Sequence, residues 1–213
     1  MFYSFSSLHV LYTTSMIIIG HRGARGIAPE NTVKSIKRAL SCHVDMIELD
    51  VRLKEGEVVL SHDPIEVNTT YTTLSEALHV IKGIVPVNLE VKEPEVVGDL
   101  KNILERYRGK VILSSFEYKT LQLAHSAMPR YEIAVLERWS AVRGITEARL
   151  LGTKRVHFNH QWLWSRLIYS LKHHGYEVYA YTVNSRDRAE ELEKWGVDGI
   201  FTDYPSLFGA DSK

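Results

Sequence analysis

The stretch Met46-Ile47-Glu48-Leu49-Asp50-Val51-Arg52-Leu53 reads as a β-strand with two opposed faces. Side chains alternate along a strand, so Ile47, Leu49, Val51 and Leu53 face one way and Glu48, Asp50 and Arg52 the other. Val87-Asn88-Leu89-Glu90-Val91-Lys92 repeats the pattern, with Asn88, Glu90 and Lys92 opposite three apolar residues. A parallel strand covered on both sides tolerates such a row of charges only where something neutralises them. Two neighbouring strands of this kind would gather Glu48, Asp50 and Glu90 around one point.

Working outward, strand-like runs recur at 17–20, 111–114, 132–136, 156–158, 178–183 and 199–202. Helical periodicity fills the gaps, near 32–40, 74–81, 96–106, 118–127, 141–150, 163–173 and 186–194. In the last of these, Ala189, Leu192 and Trp195 share a face opposite Glu190, Glu191 and Lys194. Strands alternating with helices imply crossover units and a parallel sheet. Eight strands predict an α/β fold of the closed (β/α)8 type, a TIM barrel, near the lower end of its usual size of about 200–250 residues. A doubly wound open sheet would carry a glycine-rich phosphate turn after its first strand. Gly20-His21-Arg22-Gly23-Ala24-Arg25-Gly26 has its glycines at other spacings.

Composition narrows the function. The 213 residues carry 26 basic and 26 acidic side chains, a balance unsuited to neutralising a nucleic acid backbone. One cysteine cannot form an internal disulfide, and no apolar run is long enough to cross a bilayer. Residues 1–15 hold no lysine or arginine, and Ser and Thr interrupt their apolar content, so they do not read as an export signal. They are taken as a dispensable extension, from a start codon placed too early, before a single domain over 16–213. The expected compartment is the cytoplasm, without stable membrane insertion. The oligomeric state is left open.

Three clustered carboxylates repel one another and call for a cation. Their hard oxygens suit Mg2+ or Ca2+ better than zinc. His21 follows the first strand at the end where barrel enzymes place their active sites. His62 closes a short return strand, 57–63, that folds back over the mouth. Two imidazoles at one mouth suit a reaction that takes one proton and returns another. The other eight histidines, His157 among them, have no such context. Arg22 and Lys92 add fixed positive charge that would favour a phosphate oxyanion. The plainer alternatives are solvated edge-strand charges, structural histidines, and salt bridges from Arg22 and Lys92 to Glu48 or Glu90.

These residues carry a resemblance. His21-Arg22-Gly23-Ala24, Ala28-Pro29-Glu30-Asn31-Thr32, Glu48-Leu49-Asp50-Val51, Ser61-His62-Asp63 and Glu90-Val91-Lys92 resemble the glycerophosphodiester phosphodiesterases in order and strand position. Tyr181-Thr182-Val183-Asn184 and the run 196–205 are similar to that family's last two strands. The resemblance implies a barrel that hydrolyses small-molecule glycerophosphodiesters to sn-glycerol 3-phosphate and an alcohol. It implies a divalent cation, Mg2+ first and Ca2+ or Mn2+ next, on Glu48, Asp50 and Glu90. His21 and His62 become the acid–base pair, and Arg22 and Lys92 the groups that orient phosphate. Glu30 would buttress Arg22, and Asn31 would cap the first helix.

Two departures from the family stand out. Members usually carry a cap insertion between the His-Asp pair and the Glu-x-Lys strand, whereas 64–87 holds only a turn-rich stretch and one helix. The cap is therefore expected to be reduced or absent, and the pocket open. Tyr181 stands where the family usually has tryptophan; it is expected to keep an aromatic wall and to offer a hydroxyl, with core packing as the alternative. An open mouth also suits longer lysophospholipids, as in lysophospholipase-D-like relatives, with Phe116, Phe158, Trp162 and Trp164 as candidate acyl contacts or as plain packing. A non-catalytic barrel for phosphate ligands, and a phosphoinositide-type phospholipase leaving a cyclic phosphate, are the competing functions.

Overall fold

The computed structural model describes residues 16–208. The extension expected over residues 1–15 lies outside the described residues. In chain order the elements are β1 (Ile17–Gly20), α1 (Val33–Ser41), β2 (Met46–Lys54), β3 (Glu57–Leu60), α2 (Leu74–Ile81), β4 (Val87–Val91), α3 (Val97–Leu104) and β5 (Val111–Ser115). There follow α4 (Tyr118–Ala127), β6 (Glu132–Glu137), α5 (Ala141–Leu151), β7 (Arg155–Asn159), α6 (Ser165–His173), β8 (Glu177–Tyr181), α7 (Arg186–Lys194) and β9 (Gly199–Thr202). The sheet runs β1-β9-β8-β7-β6-β5-β4-β2, and a further β1–β2 pairing closes it into the expected eight-stranded parallel barrel. β3 is the return strand. It pairs antiparallel with the upper half of β2, Val51 beside Leu60.

The two-faced strands explain the two cores. Outward residues such as Leu49, Leu89, Leu113, Val156 and Ile200 pack under the helices and are fully buried. Burying each such side chain contributes about 1.5–3 kcal/mol. Inside the barrel Ile19, Met46, Ile112, Ala134, Tyr179 and Phe201 form a separate apolar plug. Glu48 and Asp50 follow Met46 on the same inward face, so the plug is the floor beneath the acidic residues.

Element boundaries follow local chemistry. Thr32 and Thr73 open α1 and α2 with reciprocal capping boxes, to Ser35 and Glu76. The helix expected from residue 96 is preceded by a tight turn that Pro94 starts. The helix expected from residue 163 begins at Ser165, because a short turn over His160–Trp162 comes first. Between β3 and β4 the chain contributes only a loop, 61–73, and α2, which agrees with the reduced cap. Among the described residues, no helix is long and apolar enough to cross a membrane.

Candidate active site

The loop after β1 turns sharply. Arg22 (φ 50°) and Gly23 (φ 81°) both occupy the left-handed region, and a Cβ on Gly23 would stand 2.4–2.8 Å from Ser35. This turn directs two successive amides at Glu48. Arg22 N–H donates to Oε2 at 2.8 Å and Gly23 N–H to the carbonyl at 3.1 Å. His21 Nδ1 lies 2.6 Å from Asp203 Oδ1, and Asn184 Nδ2 donates to Asp203 Oδ2 at 2.8 Å. Burial opposes ionisation of Asp203, but the hydrogen bonds from His21 and Asn184 outweigh it and hold the carboxyl below its ordinary range. An ionised carboxylate only accepts, so Nδ1 of His21 carries the proton. The other ring nitrogen, Nε2, sits 4.0 Å from Glu48 Oε2.

Strand register brings the acids together: Asp50 pairs with Glu90 and Glu48 with Asn88. Ligand atoms of Glu48, Asp50 and Glu90 all lie within 4.8 Å of one another, and all three residues are buried. Burial, then the neighbouring Asp50 charge, pushes Glu90 up to about 7. Glu48 is raised well above the carboxylate range by burial and by the charges of Asp50 and Glu90. Asp50 goes the other way: burial disfavours its charge, but Lys92 and Arg22 more than compensate. This all-oxygen donor set fits a hard divalent cation, and Glu48 Oε1 is buried with no hydrogen-bond partner.

Supporting contacts refine the expectations. Arg22 Nη1 donates to both Glu30 oxygens at 2.9 and 3.1 Å, and its Nε stands 3.3 Å from Asp50 Oδ2 at an angle that makes no hydrogen bond. Lys92 Nζ donates to Glu90 Oε1 at 2.5 Å and lies 3.0 Å from Asp50 Oδ1. Asn31 is not the helix cap, a correction to the sequence reading. Thr32 supplies the cap, whereas Asn31 (φ 54°) turns inward, donates to Asp50 Oδ2 at 2.8 Å and accepts from Asp50 N–H at 3.2 Å. A capping side chain must accept from the second or third helical amide, and Asn31 lies one position too early.

His62 is half-exposed on the loop after β3. Burial, then Lys92 and Arg22, lower its pKa and favour the neutral ring. Arg52 does not join the acidic cluster. Its Nη2 donates to the His62 carbonyl at 3.0 Å and its Nη1 to Glu93 Oε2 at 2.8 Å, clamping the return loop.

A cavity of about 180 Å3 opens at this end of the barrel. His21, Arg22, Glu48, His62 and Glu90 line it together with Phe116, Leu136, Arg138, Tyr181 and Phe201. The Tyr181 ring packs edge-on against Phe116 at 5.8 Å, but its hydroxyl already donates to the Glu137 carbonyl at 2.9 Å. Phe116 reaches the cavity. Phe158 does not; it packs outward beneath α5, beside Gly144. Trp162 and Trp164 are half-exposed rather than packed. His157, without context in the sequence, lines the cavity too. Sequence reasoning also gave no role to Asp203 and Asn184, although an acid immediately after the last strand was the available signal.

Comparisons with known proteins place the chain in a family. The model of the glycerophosphoryl diester phosphodiesterase family matches residues 21–82 and 82–207. A glycerophosphodiester phosphodiesterase of Bacillus altitudinis is 30% identical over 231 residues, covering 88% of this chain and 94% of that protein. One from Caldanaerobacter subterraneus subsp. tengcongensis is 28% identical over 229 residues, covering 89% and 94%. The solved phosphodiesterase of Oleispira antarctica, in complex with the product sn-glycerol-3-phosphate, has a TM-score of 0.81 at 27% identity, covering 90% of this chain and 94% of that one. The glycerophosphodiester phosphodiesterase of Thermotoga maritima, at 23% identity with coverage of 92% and 97%, shares the fold with a TM-score of 0.80. With the family model spanning both halves of the barrel, from His21 to the turn after the last strand, this chain belongs to the glycerophosphoryl diester phosphodiesterase family.

Proposed function

We propose that this chain hydrolyses glycerophosphodiesters to sn-glycerol 3-phosphate and an alcohol in the cavity at the barrel mouth. The observation that carries this reading is that His21, backed by Asp203, and His62 line one cavity with Glu48 and Glu90. Glu48, Asp50 and Glu90 would hold the divalent cation, Mg2+ before Ca2+ or Mn2+. When bound, such a cation supplies positive charge that polarises the phosphoryl oxygens.

The chain's own groups do the rest. Arg22, fixed by Glu30, offers a guanidinium in the cavity wall to the charge that develops on the non-bridging oxygens. Lys92 balances Glu90 and Asp50, and so acts on the phosphate through the carboxylates it touches. One imidazole accepts a proton from the nucleophile, water or the neighbouring glycerol hydroxyl. The other gives a proton to the departing alkoxide as the P–O bond breaks. Asp203 keeps the His21 proton on Nδ1, so that exchange occurs at Nε2.

The test is release of glycerol 3-phosphate from glycerophosphocholine and related diesters, before chelation, after it, and after return of each metal. Release that chelator abolishes and Mg2+ restores is expected. Tight binding with no product would support a binding barrel instead, and a stable cyclic phosphate would support phospholipase-type chemistry. A second reading, hydrolysis of lysophospholipids, is favoured by the exposed pair Trp139 and Trp162. Their rings meet edge-on at 6.1 Å beside the open mouth.

A further inference from the structure

Two buried polar side chains in the cavity take no part in the chemistry above. Asn88, 1% exposed, donates from Nδ2 to Ser114 Oγ at 2.9 Å. Its Oδ1 has no partner among the described residues. His157, 2% exposed, is likewise without a partner at Nδ1. Its ring is wedged between Tyr179 at 5.1 Å and Phe201 at 4.9 Å, two members of the apolar plug. Both residues line the same cavity as His21 and His62. They come from β4 and β7, three steps apart in a ring of eight strands, and so approach the interior from well-separated sides.

An unpaired buried polar group is destabilising. Folded proteins keep such groups where water or a ligand satisfies them. Burial, with the Arg155 charge added, holds the His157 imidazole well below its ordinary value, so it is neutral and offers one donor and one acceptor. Leu136 and Phe201, beside these groups in the cavity wall, are suited to carbon rather than to charge. A short hydroxylated carbon chain meets both demands: its hydroxyls donate to Asn88 and exchange a hydrogen bond with His157, while its carbons contact the apolar wall.

We propose that Asn88 and His157 form a hydrogen-bonding floor that receives the free hydroxyl end of the substrate's glycerol, leaving the head group toward the solvent rim. This rests on the function proposed above and adds the orientation of the substrate. His157 is a specificity-determining residue here, not an acid or base.

Calorimetric binding of glycerol 3-phosphate and n-propyl phosphate, with Mg2+ present, tests the floor without relying on turnover. The wild-type chain should bind glycerol 3-phosphate at least about tenfold more tightly. His157→Phe should reduce that preference to below about threefold by weakening glycerol 3-phosphate alone, and His157→Gln should restore most of it. An equal affinity of the wild type for both ligands overturns the proposal, even if the aromatic variant fails to fold. So does an unchanged preference in His157→Phe with only a shifted melting temperature, which would make the pair a seat for internal water. Failure to release product from any diester would sink the proposed function, whereas the ligand preference decides the floor separately.

Discussion

His21 Nδ1 stands 2.6 Å from Asp203 Oδ1 although 182 positions separate the two residues. Ring closure produces the contact: β1 lies beside β9 with Gly20 opposite Thr202, so the residues that follow each strand emerge side by side. The first and last strand ends of the barrel thereby share one hydrogen bond at the cavity.

If the pair works as a unit, its variants should not be additive. His21→Ala is expected to lower kcat about 100- to 10,000-fold, and Asp203→Asn about 10- to 100-fold. The double variant should be no slower than His21→Ala alone, because removing the imidazole leaves Asp203 nothing to orient. Steady-state glycerol 3-phosphate release checks this, and multiplicative losses would separate the two residues.

Glu90, at about 7 against an ordinary 4.5, and the raised Glu48 set a pH dependence. The folded chain holds protons that the unfolded chain releases above 4.5, so these groups make the metal-free fold less stable as pH rises from 4.5 to 7. Asp50 and Asp203 have the opposite effect below their ordinary 3.8, and His62 and His157, whose pKa values folding lowers, have it below their ordinary 6.5. A bound divalent cation competes with those protons. The rise in melting temperature on adding Mg2+ should therefore be small at pH 5 and grow to several degrees at pH 8. Glu90→Gln should raise the metal-free melting temperature at pH 8 and remove most of the Mg2+ effect. A pH-independent rise would contradict the carboxylate assignment.

Local pattern made much of this site legible. The alternation in 46–53 and 87–92 puts the three acids on inward faces, and the structure brings them within 4.8 Å. What pattern does not carry is which neighbour each polar group chooses. Asn31 reads as the cap, but Thr32 supplies it, and the left-handed backbone at Asn31 sends its amide to Asp50 instead. Arg52 shares the face of Asp50, yet β3 offers it the His62 carbonyl just past the rim. His157 looked like any other histidine because its partners, Tyr179 and Phe201, arrive from two later strands.

Asn31 and Thr32 can be separated by experiment. Asn31→Ala removes both hydrogen bonds to Asp50 and is expected to weaken Mg2+ or Mn2+ binding about 10- to 100-fold, since groups that orient a ligand carboxylate act at that scale. Thr32→Ala removes the cap and the hydroxyl's hydrogen bond to the Pro29 carbonyl but no contact to Asp50, lowering stability by about 1 kcal/mol with metal affinity unchanged. Metal titration and thermal melts of both variants check this. Equal metal affinities would return Asn31 to a purely structural role.

The rim aromatics decide between short and long substrates. Trp139 is 66% and Trp162 50% exposed, and Arg138, next to Trp139, lies 5.0 Å over the Phe116 ring in the cavity wall. An acyl chain leaving the cavity would follow a path past the charged Arg138 to the two exposed indoles, which a choline head group would not need. Burying an alkyl chain along part of it would contribute about 0.8 kcal/mol per methylene. The paired variant Trp139→Ala/Trp162→Ala is expected to lower kcat/KM for a lysophospholipid at least about fivefold and for glycerophosphocholine less than about twofold. Parallel rate measurements on both substrates check it. Equal losses, or a wild type inert toward lysophospholipids, would leave the two tryptophans outside substrate recognition and retire the long-chain reading.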